Sequence, residues 1–241
     1  MTEHEKHVDE GLVDAPFSVR ADYTFEFVDG TTVTFPVQAD LTSNTMETHS
    51  PNRPSWVALD CRKCEHCPLS KKESPECPAA LSVVDVVEYF SKNFTQKLSK
   101  CVVTLPGKSV TTHKNLRESL SSLIGLRLGA SLCPYLSQFK PMARFHEPFS
   151  TPYETVYRST SMYLLKQYFQ YKEGKPADWD MKGLKTLYEQ VSLVNLRLSE
   201  RLKSAEGFEC QPCSMDVLSV FTLSMTLLLE EHLKILRELC Q

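Results

Sequence analysis

Hydrophobic and polar residues alternate with a period of two near the start of the chain. Tyr23, Phe25 and Phe27 each have polar neighbours, and a second alternating run follows Gly30. A period of two is typical of β-strands that bury one face. The two runs therefore predict a β-hairpin that turns at Asp29-Gly30.

The register of this hairpin follows from the condition that its apolar side chains share one face. A two-residue loop would place the two apolar sets on opposite faces of the hairpin. A three-residue loop at residues 28–30 instead pairs Phe25 with Val33. The same loop pairs Tyr23 with Phe35, and its last residue, a glycine, can adopt the positive φ of a bulged turn. We therefore predict the three-residue loop.

A second hairpin is predicted at residues 101–112, where Pro106-Gly107 forms the turn. If it pairs with the first hairpin, the sheet has four strands, which is wide enough to carry a core face. Residues 40–56 are polar and predict a loop. Apolar residues from Leu81 to Phe94 recur at helical spacing.

From residue 115 onward the apolar spacing alternates between three and four residues, which predicts helices. Ser150 or Thr151 is the expected cap of the second of these helices, with Pro152 in its first turn. Short connections between the helices favour antiparallel neighbours. The predicted helices span 115–130, Thr151–Tyr171, Asp180–Lys203 and Ser214–Leu239.

These elements predict an α+β protein with N-terminal β-hairpins, a cysteine-rich metal loop and then a mainly α-helical bundle. Residues 1–20 are polar and aperiodic, which predicts a disordered tail. Residues 21–113 form the β-containing unit, with the cysteine-rich loop at 57–80. Residues 114–241 form the bundle, and we expect it to pack against the β-containing unit as one continuous unit.

Composition and charge narrow the classes of partner. The chain is 41% hydrophobic and 24% charged, with a net charge of −3 and scattered basic residues. The absence of a basic stripe argues against nucleic acid as the main partner. The N-terminus lacks the pattern of a secretory signal, and the longest apolar run, Val217–Leu229, is too short to span a bilayer. We therefore expect a cytoplasmic protein without a membrane span.

The chain contains nine cysteines. In a reducing cytoplasm they are expected to be ligands, redox groups or core residues rather than disulfides. Four of them, Cys61, Cys64, Cys67 and Cys77, lie in the run CRKCEHCPLSKKESPEC. Thiols at this spacing can converge on one centre when the backbone turns around it, which predicts an iron–sulfur cluster or a Zn²⁺ site.

The spacing of the run favours an iron–sulfur cluster and leaves zinc open. Bacterial ferredoxins share the Cys-x2-Cys-x2-Cys start and a Cys-Pro pair, but their last gap is three residues and not nine. The ligand pattern is therefore similar while a ferredoxin fold is not supported. His66 could replace one thiol in a zinc site. Basic residues in the run would offset thiolate charge: Arg62, Lys63, Lys71 and Lys72.

Two other groups are secondary candidates. Cys210 and Cys213 form a Cys-x2-Cys pair that could exchange disulfides or ligate a metal, although the strand that usually precedes a redox pair is missing. Cys133 and His146 could form a nucleophile–base pair or two further ligands. A chance pair in a surface loop explains Cys210 and Cys213 at least as well, and Cys133 and His146 are expected to be structural residues. His232 lies on the apolar seam of the last helix and is expected to be a core residue.

The runs CRKCEHCPL, SLCPYL, FKPMARFHEPF and YLLKQYF together resemble a family of bacterial proteins whose activity is uncharacterised. The resemblance covers roughly residues 20–240. It implies a bacterial cytoplasmic protein that forms one continuous unit. It implies no activity, so no functional residue is carried over.

Three functions compete at this point. The first is a non-catalytic metal-binding protein with a structural, electron-transfer or redox-sensing role, whose helical surface binds a protein partner. The second is a thiol-dependent enzyme, either a disulfide oxidoreductase at Cys210 and Cys213 or a catalyst at Cys133 and His146. The third is an adaptor or assembly protein with a structural zinc. The apolar last helix could also face a second copy of the chain in a homo-oligomer.

Overall fold

The computed structural model describes residues 17–47, 50–93, 97–113, 115–203, 231–238 and 241. The strands are β1 Ser18–Phe27, β2 Thr32–Asp40, β3 Thr45–Met46, β4 Leu98–Leu105 and β5 Lys108–Thr112. The helices are α1 Pro78–Leu81, α2 Val84–Asn93, α3 Leu116–Ala130, α4 Lys140–Arg144, α5 Pro152–Lys172 and α6 Lys182–Lys203. Short 3-10 turns lie at Ser55–Val57 and Leu136–Phe139. An antiparallel sheet followed by helices confirms the α+β prediction.

The register of the first hairpin is the predicted one. Phe25 pairs with Val33 and Tyr23 pairs with Phe35. Gly30 has a φ of 84° and lies in the three-residue turn. The aromatic residues of β1 and β2 are buried together on one face of the sheet, as the alternation of the sequence requires.

The second hairpin pairs with the first through β1 and β4, and the strand order is β3-β2-β1-β4-β5. One strand more than predicted is present, because Thr45–Met46 pairs with the end of β2 inside the segment 40–56 that was predicted as a loop. Thr45 and Met46 are too few residues to show alternation and therefore carry no strand signal. β1 begins at Ser18, so the predicted tail at 1–20 overlaps the strand; residues 1–16 lie outside the described residues.

The helices begin close to the predicted positions because their caps are local. Thr151 caps α5 in a capping box: its hydroxyl accepts from the backbone N–H of Glu154, and the Glu154 carboxylate accepts from the N–H of Thr151. α6 begins at Lys182, two residues later than predicted. Residues 231–238 are helical, and the rest of the predicted helix Ser214–Leu239 lies almost entirely outside the described residues.

The main core lies between the sheet and the helices. Phe90 of α2 packs on the ring of Phe25 at 5.5 Å between centroids and on that of Phe35 at 5.7 Å. Apolar residues of α3 and α6 complete the same cluster. Arg127 of α3 is also buried, and both of its terminal guanidinium nitrogens donate to the carboxylate of Asp85 of α2. This core holds α2, α3 and α6 beside the segment that carries the cysteine run.

Candidate metal centre

The cysteine run forms a closed loop. Ala58 and Glu76 form an antiparallel bridge, and the backbone N–H of Cys77 donates to the carbonyl oxygen of Val57 at 2.8 Å. The chain therefore leaves the core at residue 58 and returns at residue 77, where Cys77 caps α1 and Pro78 occupies its first turn. This closure brings the distant fourth cysteine of the run back to the start of the loop.

A tight turn lies inside this loop. The N–H of Cys67 donates to the carbonyl oxygen of Cys64 at 3.0 Å, so the chain reverses between these two cysteines. Cys61 lies in a separate turn, where its N–H donates to the carbonyl oxygen of Ala58 at 3.1 Å. Arg62, directly after it, has a φ of 47°, which is uncommon for a residue with a side chain. The first cysteine is thus separated by a sharp change of chain direction from the other three.

Cys133 comes to the loop from the segment after α3. Its side chain is buried, and the backbone N–H groups of Tyr135 and Leu136 donate to its sulfur. The Tyr135 hydroxyl donates to the carbonyl oxygen of His66 at 2.7 Å, and the two rings lie 4.3 Å apart between centroids. The segment that carries Cys133 therefore packs directly on the turn between Cys64 and Cys67.

The thiols share a poorly solvated environment. Burial raises the pKa of Cys64 to about 11, and the neighbouring thiols of Cys77, Cys133 and Cys67 add to the effect. Burial likewise raises the pKa of Cys133 to about 11, with smaller contributions from Cys77 and Cys67, against the donors on its sulfur. Cys67 and Cys77 therefore lie close enough to oppose the ionisation of Cys64 and Cys133, which are neutral thiols near pH 7.

One buried cation fixes the start of the loop. The Arg201 guanidinium, on α6, donates to the carbonyl oxygens of Trp56 at 3.0 Å, Ala58 at 2.5 Å and Leu59 at 2.8 Å. Its charge lowers the pKa of Cys64, against the larger effect of burial. One turn earlier on the same helix, Arg197 forms an ion pair with the exposed Glu65 of the loop. Helix α6 therefore contacts the loop at two points, a buried one at Arg201 and a more exposed one at Arg197.

The donor set fits a thiophilic metal, but the side chains are not gathered around a point. Among the residues that the structure describes, no three His, Cys, Asp or Glu side chains form a group that could hold a metal ion. Zinc bonds of about 2.3 Å would require the sulfurs to come within about 3.8 Å of one another. The His66 Nε2 atom is buried and has no hydrogen-bond partner in the described part of the chain. A metal would therefore have to draw the thiols together.

The structure places the secondary candidates Cys133 and His146 in different surroundings. His146 accepts from or donates to the Tyr23 hydroxyl at 2.5 Å, and burial lowers the pKa of His146 to about 3, with Arg158 and Lys108 adding to the effect. The neighbours of Cys133 are other cysteines, so the structure does not bring the proposed nucleophile and base together. Cys210 and Cys213 lie outside the described residues.

The remaining histidine and cysteine predictions concern the core. His232 is buried, as predicted, and its ring packs on that of Tyr153 at 4.6 Å between centroids. Cys101 of β4 is buried in the main core, where burial raises the pKa of its thiol to about 12. The sequence analysis did not identify Arg201 as a residue that supports the loop. The signal that could have indicated its burial is its position between the apolar residues Leu198 and Leu202 on α6.

Comparisons with known proteins identify a family and no activity. Neither the curated proteins nor the solved structures gave a match. No helix within the described ranges is both long and apolar enough to cross a membrane. A family model described as a domain of unknown function (DUF6901) matches residues 21–241, which agrees with the expected resemblance to an uncharacterised family over residues 20–240. The chain therefore belongs to the DUF6901 family.

Proposed function

We propose that this chain is a non-catalytic metal-binding protein whose cysteine loop holds an iron–sulfur cluster or Zn²⁺. The observation that supports the proposal is the closed loop with its internal turn, which brings the segments of Cys64, Cys67 and Cys77 together although their side chains do not surround one point. Several thiols held together out of water oppose one another's ionisation. A bound metal cation favours the thiolate form, because the thiolates ligate the metal and the metal neutralises their charge.

Both metals remain candidates. The Cys-x2-Cys-x2-Cys spacing resembles that of cluster-binding runs and favours the cluster. The gap of nine residues before Cys77 keeps zinc open.

The proposed role of the centre is structural or electron-handling, beside a surface for a protein partner. Helix α5 exposes Tyr157, Phe169 and Tyr171 to solvent at 59%, 54% and 62%. Most aromatic residues of this helix are therefore uncovered, whereas Val156 is buried. Exposed aromatic residues in this number are typical of interaction surfaces. A cytoplasmic location, which the sequence predicts, would keep the thiols reduced.

Anaerobic purification followed by elemental analysis and visible absorbance tests the proposal. We expect about one zinc per chain, or an iron content and a broad visible band that indicate a cluster. The double variant C64S/C67S should lose the metal. The control is C101A, which also deletes a buried thiol but lies in β4, away from the loop, and should keep the metal. Metal-free wild-type protein that cannot be reconstituted would refute the proposal.

The thiol-enzyme alternative has less support among the described residues. A catalytic cysteine needs a lowered pKa, whereas burial raises the pKa of both Cys64 and Cys133. His146 has a low pKa and contacts Tyr23, not Cys133. The structural-zinc adaptor differs from our proposal only in the metal and in redox activity, so the same absorbance measurement separates them.

A further inference from the structure

We propose that a cavity between α3, α5 and α6 binds an apolar monocarboxylate of the fatty-acid type. The cavity has a volume of about 390 Å³, and small-molecule sites occupy ~300–1,000 Å³. Its walls come from α3, α4, the loop before α5, the first turns of α5 and the middle of α6. None of the residues 58–77 lines it, so this inference does not depend on the cysteine loop.

Glycines of α3 leave space for the cavity. Gly125 and Gly129 are one turn apart on the face of α3 that lines the cavity. A Cβ atom at Gly125 would meet no atom within 4 Å, and one at Gly129 would meet Ala143 and Phe139 at ordinary contact distances. A large side chain at Gly125 would therefore extend into the cavity without a clash. The glycine keeps open a space that an ordinary helix would fill with side chains.

The walls of the cavity are mainly apolar. Side chains of four helical segments contribute to them: Leu126, Leu136, Phe139, Met142, Tyr188 and Val191. Walls of this kind favour the hydrocarbon part of a ligand, because that part leaves water when it enters the cavity.

Arg158 supplies the charge that selects an anion. Its guanidinium is half-buried and donates to the carbonyl oxygens of Phe145 at 2.7 Å and Met142 at 2.9 Å, and to the Ser150 hydroxyl at 3.4 Å. Met142 and Ser150 line the cavity themselves, so the guanidinium lies at its wall. These three acceptors are neutral. A half-buried cation whose partners are neutral is stabilised by an anion beside it.

The carboxylates at the rim of the cavity are bonded to other residues. Glu147 forms an ion pair with Lys108 at 2.9 Å, and Glu118 accepts from the side-chain amide of Asn115 at 2.8 Å. His146 in the wall is neutral near pH 7, since burial lowers its pKa to about 3. Among the described residues that line the cavity, Arg158 is therefore the one cation. Apolar walls with a single cation are the pattern of a site for an apolar monocarboxylate.

Isothermal titration calorimetry of the whole chain with decanoate tests the proposal, and decanol serves as the neutral ligand with the same hydrocarbon chain. We expect decanoate to bind at one site per chain, about tenfold more tightly than decanol or better. The variant R158M should weaken decanoate binding by about tenfold and leave decanol binding unchanged. R158K keeps the charge and should retain more of the preference for decanoate than R158M does.

Two substitutions of Gly125 test the place of binding. G125L extends a side chain into the cavity and should abolish the binding of both ligands. The matched control is G125A, whose added methyl group meets nothing within 4 Å, and it should bind decanoate as the wild type does. Both variants should fold, because alanine and leucine favour a helix more than glycine does.

The wild-type comparison of decanoate with decanol decides the role of charge even if R158M fails to fold. Equal affinities for the two ligands would overturn the selection of an anion, and undiminished decanoate binding by G125L would overturn the location. A wild type that binds neither ligand would overturn the whole proposal. A lowered melting temperature of G125L in that case would show that another part of the chain fills the cavity.

Discussion

Replacement of Arg201 by methionine should strongly destabilise the protein. Arg201 is 2% exposed and donates to three backbone carbonyls at the start of the cysteine loop. Methionine has a similar length but no donor, so the three acceptors remain and lose their partner. Arg201 joins α6 to the loop through buried hydrogen bonds, and the substitution therefore probes how the loop is supported.

The expected cost follows from the three lost hydrogen bonds. A hydrogen bond to a charged group contributes about 1.5–3 kcal/mol, and a buried acceptor without a partner costs about 1–3 kcal/mol. Full additivity would give a larger total, but entry of water and relaxation of the loop recover part of it. We therefore expect R201M to lower the free energy of unfolding by about 3–5 kcal/mol. That is a large share of the ~5–15 kcal/mol of a typical domain.

The matched control is R197A, one turn earlier on α6. The Arg197 side chain is 30% exposed and its partner Glu65 is 86% exposed. Exposed ion pairs contribute about 0–1 kcal/mol, so R197A should be nearly as stable as the wild type. Urea unfolding, followed by circular dichroism on metal-free protein, measures both variants under the same conditions. A difference of less than about 1 kcal/mol between R201M and R197A would refute the reasoning.

Two further predictions concern buried polar groups of the fold. The substitution D85N leaves the buried Arg127 guanidinium without its carboxylate, and we expect it to cost about 3 kcal/mol in urea unfolding; a cost below ~1 kcal/mol would contradict the pairing. His146 has a pKa of about 3 in the folded chain and an ordinary value of about 6.5 in the unfolded chain, so the unfolded state takes up the proton first as the pH falls. Stability should therefore be full above pH ~6.5 and fall by about 2 kcal/mol by pH ~5. The variant H146Q should flatten this dependence, and an equal slope in both proteins would show that another group is responsible.

Burial keeps His146 neutral, and the Tyr23 hydroxyl gives the neutral ring a hydrogen-bond partner. The N–H of Phe149 donates to the Ser122 hydroxyl at 3.1 Å, and that hydroxyl lies 2.8 Å from the Tyr23 hydroxyl. Burial raises the pKa of Tyr23, so its hydroxyl keeps its proton and can donate it to His146 Nε2. A protonated imidazole could only donate to this hydroxyl, and its charge would be buried beside Arg158 and Lys108. His146 therefore stabilises the structure as a neutral acceptor.

The local elements of this protein follow from its sequence. The register of the first hairpin can be derived because a shift of one residue would move every aromatic side chain of β1 to the other face. The start of α5 can be derived because Thr151, Pro152 and Glu154 form the capping box within four consecutive residues. The strand β3 could not be derived, since Thr45 and Met46 are too few to show alternation and pair there because β2 offers a free edge.

The cysteine loop shows the same division between local pattern and tertiary structure. The spacing of Cys64, Cys67 and Cys77 is local, so the sequence by itself determines that their segment is the candidate centre. Only the tertiary structure decides that the segment of Cys133 packs on the loop and that Arg201, about 140 residues from the carbonyls it binds, holds the loop. Short-range order is set by hydrogen bonds and side-chain periods within a few residues. Long-range contacts depend on how the whole core packs, and no spacing in the chain encodes them.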